Sequence, residues 1–296
     1  MGARFVTWWF PDLPLARVAV LRVLIYLFVI WDVFYLTQDV IGHGYAPDLA
    51  APLWLGRALQ LPDPSPLLAQ ILRVVIVVSA LVAASGRLPR LAGASVAVSF
   101  TWWMLDSQGF GYVSHDHLAL VVATWVLPTV GPASFTDTAT SQRAGWALRV
   151  VMVAVVATYF GSFFSKWVRS GTPWAWANSA VFVWAIMRRG SIFVQWTLQV
   201  PWLLTAGQWV LLTAELLSPL VLGLHSRWLL AAVVFFFGFH FMTWVALGIH
   251  FLPTVVCWFA FFPLERLPVW LANRWAALRG TQAGAPPGRP AKPESV

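Results

Sequence analysis

The chain has two lysines, Lys166 and Lys292, against 17 arginines, and Lys166 closes an aromatic run, YFGSFFSKWVRSGTPW at 159–174. A lysine drawn partly out of water loses stabilisation of its charged form, so a neutral amine becomes available as base or nucleophile. The bland reading is a lysine snorkelling to a membrane face, but anchoring elsewhere in this sequence is left to arginine. A second candidate is SHDHL at 114–118, where His115 and His117 stand two apart ahead of an apolar run. That pattern suits a base with its orienting carboxylate, a helix cap through Ser114 or Asp116, or half a metal site. With no third ligand in sight, no metal is expected. His240 lies in FFFGFHFMTW without a polar neighbour, and Glu215 in TAELLSP needs a partner such as Arg149, or a proton. Arg22, Asp32, Arg73 and Arg149 read as a structural polar network. Each ionisable group inside a membrane span costs at least about 2.5–3.5 kcal/mol, so all of these are candidate sites.

The elements that must position these residues are membrane helices. With 59% hydrophobic and 10% charged residues, the chain has too little polar surface for a soluble globule. Eight apolar runs approach the roughly 20 residues that cross a bilayer, at 15–37, 67–85, 91–106, 117–131, 146–166, 202–223, 228–247 and 249–263. Trp174–Met187 is shorter and suits a re-entrant or interfacial helix. The expected fold is therefore all-α, a polytopic bundle over 15–265 after a cytoplasmic segment at 1–14. An amphipathic surface helix at 266–279 and a disordered tail at 280–296 complete it.

With the N-terminus inside, inner segments carry Arg4, Arg87, Arg90, Arg143, Arg227, Arg266, Arg274, Arg279, Arg289 and Lys292, while outer ones carry Arg57, Lys166, Arg169, Arg188 and Arg189. That bias places both termini of a multi-pass cell-membrane protein in the cytoplasm. No cleavable signal peptide is expected ahead of the first run. Trp8, Trp9, Trp102, Trp103, Trp174 and Trp176 fit interfacial belts. The basic residues punctuate apolar runs and do not form a patch, so the partner is the lipid bilayer and not nucleic acid. Cys257 alone permits neither an intrachain disulfide nor a cysteine metal cluster. In this topology the 106–117 loop and the Lys166 end of the fifth run face outward, and one outward pocket can hold His115, Lys166 and His240.

At these positions the chain resembles the vitamin K-dependent gamma-carboxylase superfamily, the HTTM (horizontally transferred transmembrane) domain. YFGSFFSKWVRSGTPWAWANSAVFVWAI is similar to the carboxylase pattern of an aromatic helix ending in Lys, then a Trp and small residues. SHDHL resembles the segment in which a His precedes Leu by three, and FFFGFHFMTWVALGIHF a later helix with His then Met. The likeness covers residues 15–265 and departs from the pattern at Ser165, where a lysine often stands. It implies Lys166 as catalytic base, with His115 and His240 beside it. Trp174, Tyr112, His117, Glu215 and Tyr159 are the expected binding residues. The implied cofactor is a vitamin K or menaquinone-type hydroquinone, and the implied partner an exported peptide or protein substrate. The competing readings are a membrane scaffold, a maturation factor for an exported protein, or a small-molecule transporter. A transporter predicts two related halves, and no internal repeat is visible.

Overall fold

The computed structural model describes residues 2–111, 113–172 and 174–278. Among the described residues the regular structure is helical apart from two-residue strands β1 (Leu13–Pro14) and β2 (Thr140–Ser141). After α1 (Gly2–Trp9) come α2 (Leu15–Tyr35), two short helices α3 (Val40–His43) and α4 (Trp54–Ala58), then α5 (Pro66–Ala84), α6 (Pro89–Gln108) and α7 (Leu118–Val130). The second half holds α8 (Gln142–Ser170), α9 (Ala180–Arg189), α10 (Pro201–Leu217), α11 (Ser226–Leu247), α12 (Leu252–Cys257) and α13 (Arg266–Leu278).

Among the described residues, five helices are long and apolar enough to cross a membrane: α2, α5, α8, α11 and the 201–223 segment that begins with α10. A sixth arises if Leu252–Phe261 and Arg266–Trp275, bent by 91°, form one broken span. The sequence expectation was eight. Of the runs not counted, α6 is long enough but diluted by Ser95, Ser99, Thr101, Asp106 and Gln108, and α7 has 13 residues. Both nevertheless lie deep in the bundle, with Val96, Phe100, Leu120 and Leu127 fully buried.

Helix α2 turns a stripe of Val18, Leu21, Ile25, Val29 and Val33 into the core, a spacing of three to four residues that keeps one face inward. The core is shared by α2, α5, α6, α7 and α8, with Trp103 and Trp258 filling it. By contrast, α11 buries only Val233, Phe236 and His240, leaving the rest of its apolar surface for lipid. Trp103 is therefore a core residue and not a belt residue; its indole donates to Thr37 Oγ1 at 2.7 Å.

Strands β1 and β2 pair antiparallel, Leu13 with Ser141 and Pro14 with Thr140, and clasp the starts of α2 and α8 together. Gly145 is required there, because a Cβ would collide with the Pro11 carbonyl. The Ser141 hydroxyl accepts from Arg143 N at 3.2 Å, and Ser65 caps α5 by accepting from Leu68 N at 3.2 Å. At the clasp end Arg17 donates from Nε and Nη2 to the two oxygens of Glu265, 2.7 Å each, tying the first long helix to the entry of α13. The Arg279 end of the amphipathic helix and the 280–296 tail lie outside the described residues.

Candidate functional site

The β1–β2 clasp brings the starts of α2 and α8 together at one end of the bundle. Asp32 and Tyr159 each lie 17 residues past their helix start, about 26 Å along the axis at 1.5 Å per residue. They define a polar layer toward the end of the bundle opposite the clasp. Lys166 lies seven residues beyond Tyr159, about 10 Å higher.

Tyr159, Ser162 and Lys166, spaced i, i+3 and i+7, share one face of α8. Lys166 Nζ donates to Ser162 Oγ at 2.8 Å and to Glu215 Oε2 at 2.6 Å, with a closer contact to Oε1. Ser162 donates in turn to Glu215 Oε1 at 3.0 Å, closing a triangle. The pair is little exposed, 16% for the lysine side chain and 6% for the glutamate. A Trp176 ring lies 4.8 Å from the ammonium, within cation–π range. Glu215 is thus paired with Lys166 and not with Arg149.

Trp176 is held in place by Gln208. This fully buried side chain of α10 donates to the Trp176 carbonyl at 3.1 Å and accepts from Ser179 N. Ser179 has φ +71°, a left-handed conformation that costs a non-glycine residue strain and turns the chain into α9. Phe163, Ala177 and Leu212 pack beneath that turn. Trp174, expected in the site, is instead 62% exposed.

In the lower layer His117 is the clamped imidazole. Its Nε2 lies 2.8 Å from Asp32 Oδ2 and its Nδ1 3.2 Å from Asp116 Oδ1. Thr37 donates to Asp32 Oδ1 at 2.9 Å, and Ser114 donates to Asp116 Oδ1. Neither Ser114 nor Asp116 caps a helix through its side chain. Thr254 donates to the Asp116 carbonyl at 2.8 Å, which docks α12 against this knot.

The neighbouring knot is built on Tyr159, whose hydroxyl lies 2.6 Å from His240 Nε2 and accepts from Trp258 Nε1 at 2.9 Å. His240 is 6% exposed and its Nδ1 has no partner. Phe251 stands between the two candidate imidazoles, 5.0 Å from the His240 ring and 6.2 Å from that of His115. His115 keeps an exposed edge but is crowded, and that desolvation lowers its pKa; Asp116 opposes the shift and the Lys166 charge reinforces it.

The three expected catalytic groups therefore occupy neighbouring stations and share no hydrogen bond: Lys166 bonds Ser162 and Glu215, His240 bonds Tyr159, and His115 meets Phe251. The expected polar network comes apart. Arg22 donates to backbone carbonyls at the clasp end, Asp32 holds His117, Arg73 lies 5.1 Å from the Phe34 ring, and Arg149 lies 4.8 Å from that of Trp8. Tyr112 is outside the described residues. The helical spacing of Ser162 to Lys166 was available in the sequence and Trp176 was expected only in an interfacial belt, but nothing local marked Gln208, Trp258 or Phe251. No group of three His, Cys, Asp or Glu among the described residues is arranged to hold a metal.

Next to this layer, Trp31, His240, Trp244, His250, Phe251 and Leu252 line an open apolar groove of about 580 Å³ between α2, α11 and α12. His250 Nδ1, like His240 Nδ1, is buried without a partner. Comparison with known protein families, curated proteins and solved structures finds no match to this chain.

Proposed function

We propose that the protein is a quinol-dependent membrane enzyme of the HTTM type, related to the membrane domain of the vitamin K-dependent gamma-carboxylases. In this reading α2, α5, α6, α7, α8, α10, α11 and the α12 segment form eight membrane segments, with both termini in the cytoplasm and the Lys166 end facing outward. The observation that carries the proposal is the low exposure of the Lys166–Glu215 pair under an aromatic ring. The only body lysine sits where its proton can be exchanged with an adjacent carboxylate away from bulk water.

The groove fits a lipid-borne hydroquinone on two counts. Its walls are aromatic and open toward lipid, and the unpartnered Nδ1 atoms of His240 and His250 can bond a phenolic oxygen. A bound hydroquinone would supply reducing equivalents and, with oxygen, the strong base that removes a proton from a substrate. The chain's own contribution is proton handling and orientation. Transfer of the ammonium proton to Glu215 would free Lys166 Nζ to accept a phenolic proton, and Ser162 and the Trp176 ring would stabilise the ammonium that results. Tyr159 fixes the His240 ring through Nε2 and leaves Nδ1 for the ligand.

The test is to purify the protein with its native lipids, extract quinones, and follow hydroquinone oxidation with and without carbon dioxide incorporation. Quinone should co-purify, and Lys166→Ala should retain it while losing oxidation by about 10²-fold or more. Unchanged oxidation in Lys166→Ala would overturn the assignment of the base.

A further inference from the structure

Arg22 is a buried cation that this site leaves unused. It lies at the clasp end of α2 and is 1% exposed. Its Nη2 donates to Gly131 O at 2.7 Å and Leu127 O at 3.4 Å, but Nε and Nη1 have no partner. No carboxylate among the described residues forms an ion pair with it. Two neutral carbonyls leave a buried positive charge uncompensated, a state that folded proteins relieve by pairing.

The same arginine forms part of the wall of a cavity of about 470 Å³, together with Ala19, Ser85, Gly86, Ser134 and Asp137. A second guanidinium stands close by: that of Arg90 packs against Gly131, where a Cβ would approach its Nη2 to 2.9 Å. Gly131 ends α7 with φ +81°, so one residue receives Arg22 on its carbonyl and Arg90 over its Cα. Exposed Arg87 lies in the turn between α5 and α6, three residues ahead of Arg90. Opposing these cations is Asp137, whose Oδ1 already accepts from Ala139 N at 3.0 Å.

We propose that this cavity is a phosphate-binding site in which the ligand's oxygens accept hydrogen bonds from the free nitrogens of Arg22. A guanidinium fork with donors to spare matches a multi-oxygen anion, and the cavity opens at the arginine-rich end of a membrane bundle, where lipid phosphates gather. The ligand is a lipid headgroup phosphate or a soluble phosphate. The site is independent of the quinol chemistry at the opposite end.

The full chain, purified in detergent, would be titrated with inorganic phosphate, with short-chain phosphatidylglycerol, and with diacylglycerol as the phosphate-free control, reading the shift in Tm. Phosphate-bearing probes should give a saturable rise in Tm that diacylglycerol does not. Response to phosphatidylglycerol alone assigns a lipid headgroup; response to inorganic phosphate assigns a site open to soluble ligand. Arg22→Gln should weaken binding tenfold or more. Should that variant not fold, two rim variants decide with Arg22 intact: exposed Ser134→Asp should weaken binding, and Asp137→Asn should strengthen it several-fold. No response to either phosphate probe, or a response that both rim variants leave unchanged, would overturn the proposal.

Discussion

Glu215 must be paired to remain charged at 6% exposure, and Lys166, Ser162 and Trp176 surround it. Removing one partner leaves the other charge buried, at a cost of about 3–5 kcal/mol. Lys166→Met should therefore lower stability by roughly that amount, and Lys166→Met with Glu215→Leu by distinctly less. A double-mutant cycle by thermal melting checks this; additive losses would mean the pair is not coupled. His115 gives a pH signature. Its lowered pKa means the unfolded chain binds more protons below the ordinary histidine value of about 6.5, so its contribution to stability is present above that pH and is lost as pH falls below it. His115→Gln should flatten the dependence of Tm on pH between about 6.5 and 5. A dependence unchanged by the substitution would place the titration elsewhere.

At the scale of elements, the β1–β2 clasp holds the start of α2 to the start of α8. Gly145 is its tightest point, facing the Pro11 carbonyl. Gly145→Val must push the 11–14 segment away, and a loss of about 2 kcal/mol or more is expected from overpacking. Limited proteolysis should then cut near residues 10–14 at protease levels that spare the native chain, whereas equal resistance would show that the clasp yields without opening. Helix α8 itself was readable, as a long apolar run with Ser141 ahead of it. Its true length of 29 residues runs four past Lys166, which turns that lysine from the end of a helix into a residue on its packed face.

For the whole molecule, the 29-residue helix α8 places Ser134, ahead of its start, and Asn178, beyond its end, on opposite sides of the bundle. Cys257 is fully buried, so the native chain offers a silent background for thiol labelling. Cysteines placed at exposed Ser134 and Asn178 should react with a membrane-impermeant maleimide from opposite faces of the membrane. Labelling of both from one face would contradict a bundle in which α8 crosses the bilayer.

The membrane class was set by composition alone, because 59% hydrophobic residues with 10% charge have no soluble solution. Sequence also required that Glu215, Asp32 and Arg22 find partners, since an isolated charge in an apolar run is too costly to leave unmet. Which partner each found was decided only by tertiary packing. Lys166 and Glu215 are 49 residues apart, and His117 and Asp32 are 85 apart. Pairing across such separations depends on which helices lie side by side and at what register, and that is settled by long-range packing of the shared core, which leaves no local signal in the sequence. For the same reason His117, expected as a binding residue, is clamped between Asp32 and Asp116, and Arg22 bonds two backbone carbonyls beside a cavity.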